Sequence, residues 1–126
     1  KWNSCLIGVG RLGRAIISYP GFTPEGFNIV AAFDTAPGEV GETIGSLVVQ
    51  PIGDIENTIK ERDIRIGIVA VPATKAQEVI DQLVGYGIKA ILNYAPVGPQ
   101  IPDGVRIRNV DPILALQSMT YYLKKD

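Results

Sequence analysis

Short, unbroken apolar runs alternate with stretches of helical spacing along the whole chain, and few folds accommodate that pattern. Residues 4–9, 27–33 and 66–71 are continuously apolar rather than alternating, as expected of strands buried on both faces. Between them apolar residues recur every three or four positions: Leu12, Ala15, Ile16 and Tyr19, then Ala76, Val79, Ile80 and Leu83. Pro20-Gly21 stops the first of these helices, and Gly85 and Gly87 close the second. Shorter strands are expected at 47–49, 90–92 and 105–110, with a short helix from an N-cap at Asp54 through Glu61 that turns Ile55 and Ile59 inward. A final helix is expected over 112–123. Strands alternating with helices require parallel pairing through right-handed crossovers, which places helices on both sheet faces. The fold class is therefore α/β, a doubly wound parallel sheet.

Gly8-Val9-Gly10-Arg11-Leu12-Gly13 reads G-x-G-x-x-G. With 14 glycines in 126 residues the string alone is weak, but here it follows a buried strand directly and opens an amphipathic helix. Gly8 permits the tight turn, Gly10 lets a pyrophosphate approach the backbone, and Gly13 lets the helix lie against the strand. The N–H groups and the positive end of the helix dipole then face the phosphates, giving a Rossmann-like site. Asp34 ends the second strand, 21 residues past Gly13, where a carboxylate accepts the two hydroxyls of an adenine ribose. Its charge repels a 2′-phosphate, and no Arg or Lys follows within several residues to receive one. NAD(H) is favoured over NADP(H). Two further strand ends, Val71-Pro72-Ala73-Thr74 and Asn93-Tyr94-Ala95-Pro96, put small residues and proline where ligands of open α/β sheets sit, leaving room for a flat ring.

Charge and residue usage exclude other classes. Twelve Lys and Arg against 13 Asp and Glu leave a net charge of -1, which gives no field to gather nucleic acid onto this segment. No run approaches the roughly 20 apolar residues of a membrane helix and no secretory leader is present, so a cytoplasmic location is expected. Cys5 is the single cysteine, lies in an apolar run, and reads as a small core residue. Histidine is absent, which removes the commonest general acid or base. Lys75, one residue into a helix, is expected to point to solvent. Tyr121 and Lys125 match the Y-x-x-x-K spacing of short-chain dehydrogenases but end the chain, whereas that pair belongs on a mid-chain helix. No enzyme activity and no metal site are expected.

The last helix is apolar over much of its circumference: Ile113, Leu114, Leu116, Met119, Tyr121, Tyr122 and Leu123. Each such side chain contributes about 1.5–3 kcal/mol when fully buried, so cover on all sides is favoured. Exchange of this helix into a partner subunit would supply the cover and give a two-fold homodimer. The expected division is a nucleotide-binding domain over 1–111 and a dimerisation helix over 112–126. Residue 1 is Lys and a strand starts almost at once, from which a missing upstream segment is inferred.

Taken together, these residues resemble the cofactor-binding domain of the Rex redox-sensing transcriptional repressors. The resemblance rests on the glycine turn followed by Tyr19-Pro20-Gly21-Phe22, on Ala31-Ala32-Phe33-Asp34 and on Val71-Pro72-Ala73. It continues through Ala76-Gln77-Glu78, Gly87-Ile88-Lys89, residues 93–96, Asn109-Val110-Asp111 and Leu116-Gln117-Ser118. It implies a homodimer with a domain-swapped C-terminal helix, an N-terminal winged-helix domain that binds operator DNA, and release of that DNA as NADH rises relative to NAD⁺. By position, residues 8–13 and Asp34 would hold the dinucleotide, and Tyr19, Pro72 and Pro96 would lie near the nicotinamide. Asp111 would help couple the subunits. Two positions depart from the family pattern: Glu39 stands where a Lys is frequent, and Pro112 where a bulky apolar residue can follow the Asp.

Two other readings remain open at this point. A CoA-binding domain like that of succinyl-CoA synthetase shares the glycine turn and the Val-Pro-Ala and Gly-Ile-Lys succession, though Asp34 would repel the 3′-phosphate of CoA. The nucleotide half of an NAD-dependent oxidoreductase would have its partner domain downstream.

Overall fold

Continuous apolar strands belong at the centre of a sheet, and that is where they lie in the computed structural model, which describes residues 2–19 and 26–110. The chain runs β1 (Trp2–Ile7), α1 (Arg11–Ser18), β2 (Phe27–Asp34), β3 (Thr43–Ile44), β4 (Leu47–Pro51), α2 (Ile55–Glu61), β5 (Ile64–Val69), α3 (Ala73–Gly85), β6 (Ala90–Asn93) and β7 (Arg106–Asn109). The strands form one sheet in the order β3-β4-β2-β1-β5-β6-β7. Every pairing is parallel except the β3–β4 hairpin. The doubly wound α/β fold expected from the alternation is the one observed. Asp111, the expected helix at 112–123 and the Pro20-Gly21 stop lie outside the described residues.

Alternate residues of each strand serve opposite faces. Cys5, Ile7, Ala31, Phe33 and Val69 pack with Ile55 and Ile59 of α2 and with Val79, Ile80 and Leu83 of α3. Leu6, Val9, Ala32, Val49 and Ile68 pack on the other face with Ile16 of α1. A Cβ at Gly67 would lie 2.8 Å from Leu83 Cδ1, so the missing side chain lets α3 ride close on β5. Gly87, at φ +95°, closes α3: its N–H donates to the Val84 carbonyl and that of Ile88 to the Leu83 carbonyl.

Several local expectations need correction. The inward stripe of α1 is Gly13, Ile16 and Ile17, while Leu12, Ala15 and Tyr19 are exposed. Close contact with β1 must pass through Gly13, and that rotates the apolar residues on either side of it outward. β1 and β5 each begin and end two residues earlier than expected, because the backbone leaves the sheet at Gly8 and Ala70. A two-residue strand, β3, precedes β4 through the turn at Gly45 (φ +60°). Asp54 occupies the N-cap of α2 but makes no side-chain capping bond, since a 3-10 turn leads into the helix.

The connection from β6 to β7 carries no helix, so the α1 face stays open beyond β1. A groove of about 640 Å³ runs there, floored by Ile29, Ile66, Ile68 and Leu92 and edged by Arg106 and Arg108. Among the described residues no helix is long and apolar enough to cross a membrane.

Cys5 is buried as a free thiol. Desolvation is the leading cause that pushes it from 9.0 to about 12. Between those values the folded chain keeps a proton that the unfolded chain has lost, so stability falls with rising pH, by about 1.4 kcal/mol per unit. Cys5→Ala is expected to flatten the alkaline loss of thermal stability above pH 9 relative to the parent. Equal slopes for the two proteins would refute this.

Candidate functional site

The chain moves to one side of β1 through β2 and β4, and to the other through β5, β6 and β7. Where connections leave in opposite directions the carboxyl ends of the strands open a crevice, the usual ligand position in such sheets. Here it is a cleft of about 770 Å³, within the roughly 300–1,000 Å³ of small-molecule sites.

One wall is the glycine turn. Gly8 adopts φ +101°, donates its N–H to the Phe33 carbonyl at 2.9 Å, and has no room for a side chain: a Cβ would meet the Ala70 carbonyl at 2.5 Å. A Cβ on Gly13 would run into the carbonyl of Gly8. Gly10 differs, because nothing lies within 4 Å of where its Cβ would be, and it borders the cleft. It is also the N-cap of α1, with no side-chain cap and no acidic residue in the first turn. The amino end of α1 is therefore left available to an anion, with Gly10, Arg11 and Leu12 in the cleft wall.

Asp34 closes the next wall. Its Oδ2 accepts the Val9 N–H at 2.9 Å and its Oδ1 accepts the Ala36 N–H at 2.8 Å. Each carboxylate oxygen has a second accepting position, so the group is fixed in place yet can still receive two hydroxyls. Beside it, Arg14 Nη2 meets Glu39 Oε2 at 2.9 Å and Arg14 Nε donates to the Val9 carbonyl at 3.1 Å. All three charged groups border the cleft.

The far end carries Val71 and Pro72 from the end of β5, and Tyr94 and Pro96 from the end of β6. Burial raises the Tyr94 hydroxyl above its usual value. Ala73 begins α3 with Pro72 as its N-cap. Asn93 and Ala95 are buried behind this wall: Asn93 Oδ1 accepts the Ala95 N–H at 3.1 Å, and Nδ2 donates to the Ala95 carbonyl at 3.2 Å and to Asn109 Oδ1 at 3.0 Å. In this arrangement Asn93 shapes the turn that presents Tyr94 and Pro96. Tyr19 stands at the opposite end of α1, about 12 Å along the helix from the glycine turn. Sequence reasoning did not place Arg14, Thr35, Ala36 or Lys75 in the cleft wall, although all of them border it.

Residues 1–97 match the CoA binding domain family. The chain belongs to that family. Within it, the resemblance to Rex repressors read from the residues is borne out. The chain is 48% identical over 125 residues to the redox-sensing transcriptional repressor Rex of Chloroflexus aurantiacus (strain ATCC 29366 / DSM 635 / J-10-fl), covering 99% of this chain and 59% of that protein. Among solved structures it resembles RSP, a Rex-family repressor, in complex with β-NADH, with a TM-score of 0.90, 37% identity, and coverage of 98% of this chain and 60% of that one. The same repressor in complex with β-NAD⁺ and operator DNA matches with a TM-score of 0.87 and 37% identity, covering 98% of this chain and 57% of that one. The chain thus spans under two thirds of the length of these relatives.

Proposed function

We propose that this chain is the NAD(H)-binding sensor domain of a redox-sensing transcriptional repressor, not an enzyme, acting in the cytoplasm. One observation carries the reading: Asp34, tied to the glycine turn through Val9, offers a fixed carboxylate to a ribose diol beside an open helix amino end. The same carboxylate argues against CoA, whose adenosine bears a 3′-phosphate it would repel. RSP, which this chain resembles throughout its described length, has been solved with both β-NADH and β-NAD⁺.

Residues 8–13 would hold the pyrophosphate and Asp34 the adenine ribose. Val71, Pro72, Tyr94 and Pro96 would enclose the nicotinamide, with Ala73, Asn93 and Ala95 supporting that wall. Tyr19, expected near the nicotinamide, is not part of this cleft's wall and is given no role in it, and Asp111 would help couple the subunits. The bound dinucleotide supplies a ring that is cationic when oxidised and neutral when reduced. An end walled by Val, Pro and Tyr side chains penalises the cation by desolvation and so favours NADH. For binding to switch DNA affinity, the two forms must also prefer different dimer geometries, because equal preference shifts nothing. The apolar segment 112–126 of a partner copy is the proposed cover for the open groove on the α1 face. Operator DNA would be bound by an upstream winged-helix domain.

Calorimetric titration with NADH and with NAD⁺, alongside small-angle scattering, tests this. At least tenfold tighter binding of NADH, with a change in subunit arrangement, is expected. Equal affinities with no change of arrangement would defeat it.

A further inference from the structure

Asp34 repels a 2′-phosphate, and the residues that directly follow it hold no cation to receive one. The fold supplies a cation from elsewhere. Arg14, 20 residues upstream, reaches the same rim, and the Val9 backbone joins the two groups: its N–H donates to Asp34 and its carbonyl accepts from Arg14. An arginine beside the ribose-binding position is how folds of this kind accommodate the 2′-phosphate of NADP(H). Here that guanidinium is already committed, at 2.9 Å, to Glu39.

We infer that Glu39 is a specificity-determining residue: by holding Arg14 it withholds from the ligand the cation nearest the ribose, so two carboxylates, not one, exclude NADP(H). This rests on the dinucleotide reading above and extends it. Glu39 acts through Arg14: it neutralises the guanidinium and keeps Nη2 on the ion pair rather than free for a 2′-phosphate. Arg11 and Lys75 also border the cleft, but from the first residue of α1 and the first turn of α3. A charge at those places acts on the part of the ligand that NADH and NADPH share. The Arg14–Glu39 pair is partly exposed, with 41% and 31% of the side chains accessible. Exposed pairs contribute little to stability, so its loss leaves the fold in place.

The test measures Kd for NADH and NADPH, by calorimetry at low and moderate salt, on the parent chain, Glu39→Gln, Glu39→Ala and the double variant Arg14→Met/Glu39→Gln. Thermal melts check that each is folded. Both single variants are expected to lower the ratio Kd(NADPH)/Kd(NADH) about tenfold. That gain should shrink with added salt, as a partly exposed arginine–phosphate contact must, and should vanish when Arg14 is also removed. A parent that binds NADH, with single variants whose ratio is unchanged, overturns this inference alone. So does a gain that survives loss of Arg14, since only a released guanidinium distinguishes this role from a general effect of the loop. A parent that binds neither dinucleotide overturns the functional reading and this inference with it.

Discussion

Gly10→Ala is expected to weaken NADH binding by about a hundredfold while leaving the thermal midpoint nearly unchanged, and Gly13→Ala to do the reverse. The two glycines lie three residues apart in one motif, but their surroundings differ. A methyl group at Gly10 meets nothing within 4 Å, and its φ of -66° and ψ of -161° are accessible to any residue. The added carbon would occupy the space a pyrophosphate needs against the helix amino end. About 2.7 kcal/mol of binding, a hundredfold, is the expected loss. A methyl at Gly13 instead collides with the Gly8 carbonyl, a backbone atom that cannot rotate away. α1 must then lift from β1 and disturb the packing of Ile16 on Leu6 and Ala32. Overpacking of this kind costs about 3 kcal/mol, a large share of a domain's stability, and lowers Tm by roughly 10 °C. Thermal melts and NADH titrations of both variants check the pair. A Gly13→Ala chain as stable as the parent, or a Gly10→Ala chain that binds as tightly, would break the assignment of roles within the motif.

Strands that are apolar on both faces cannot sit at a solvated edge, and β1, β2 and β5 were legible as central for that reason. Their parallel pairing followed from the crossover rule, whereas their order is seen only in the fold. What escaped notice has identifiable causes. A two-residue strand such as β3 has no period to detect, although Gly45-Ser46 between Ile44 and Leu47 is a recognisable hairpin turn. The inward face of α1 was misread because apolar spacing selects Leu12, Ala15, Ile16 and Tyr19, whereas backbone contact at Gly13 decides the rotation. Counting size and hydrophobicity ranks a glycine last, and here it is the residue that sets the helix against the sheet.

The site divides in the same way. The glycine turn and Asp34 were legible because their spacing carries a mechanism. Arg14 was not, since a search for cations along the chain after Asp34 cannot see one delivered by a preceding helix. Lys75 is exposed, as its place near the start of a helix led one to expect, and the start of α3 also brings it to the cleft rim. Asn93 illustrates a different limit. Its position after a strand end marks it as near a ligand, but composition says nothing about where an amide spends its bonds. In the fold they are spent on Ala95 and Asn109, linking the β6 turn to the last described strand.

The other large effect is expected at Asp34. Asp34→Asn keeps the size and shape of the side chain, yet both carboxylate oxygens accept backbone N–H groups: Val9 on Oδ2 and Ala36 on Oδ1. An amide has a single oxygen, so in either orientation its NH₂ faces one of those donors. One hydrogen bond becomes a repulsive contact, at a cost of about 1–3 kcal/mol in stability. Binding suffers twice. The charge that strengthens hydrogen bonds from a ribose diol is gone, and one of the two accepting atoms has become a donor. NADH affinity is expected to fall by about a hundredfold or more, measurable by calorimetry, with a modest drop in thermal midpoint. Asp34→Glu separates the two contributions: it restores charge but pushes the carboxylate about one carbon into the cleft, so affinity should stay low. The discriminating comparison is with adenosine-free ligands. Nicotinamide mononucleotide lacks the adenine ribose, and its binding, where measurable, should be indifferent to Asp34→Asn. If both ligands weaken equally, Asp34 serves the loop and not the sugar, and the glycine turn alone would have to account for dinucleotide recognition.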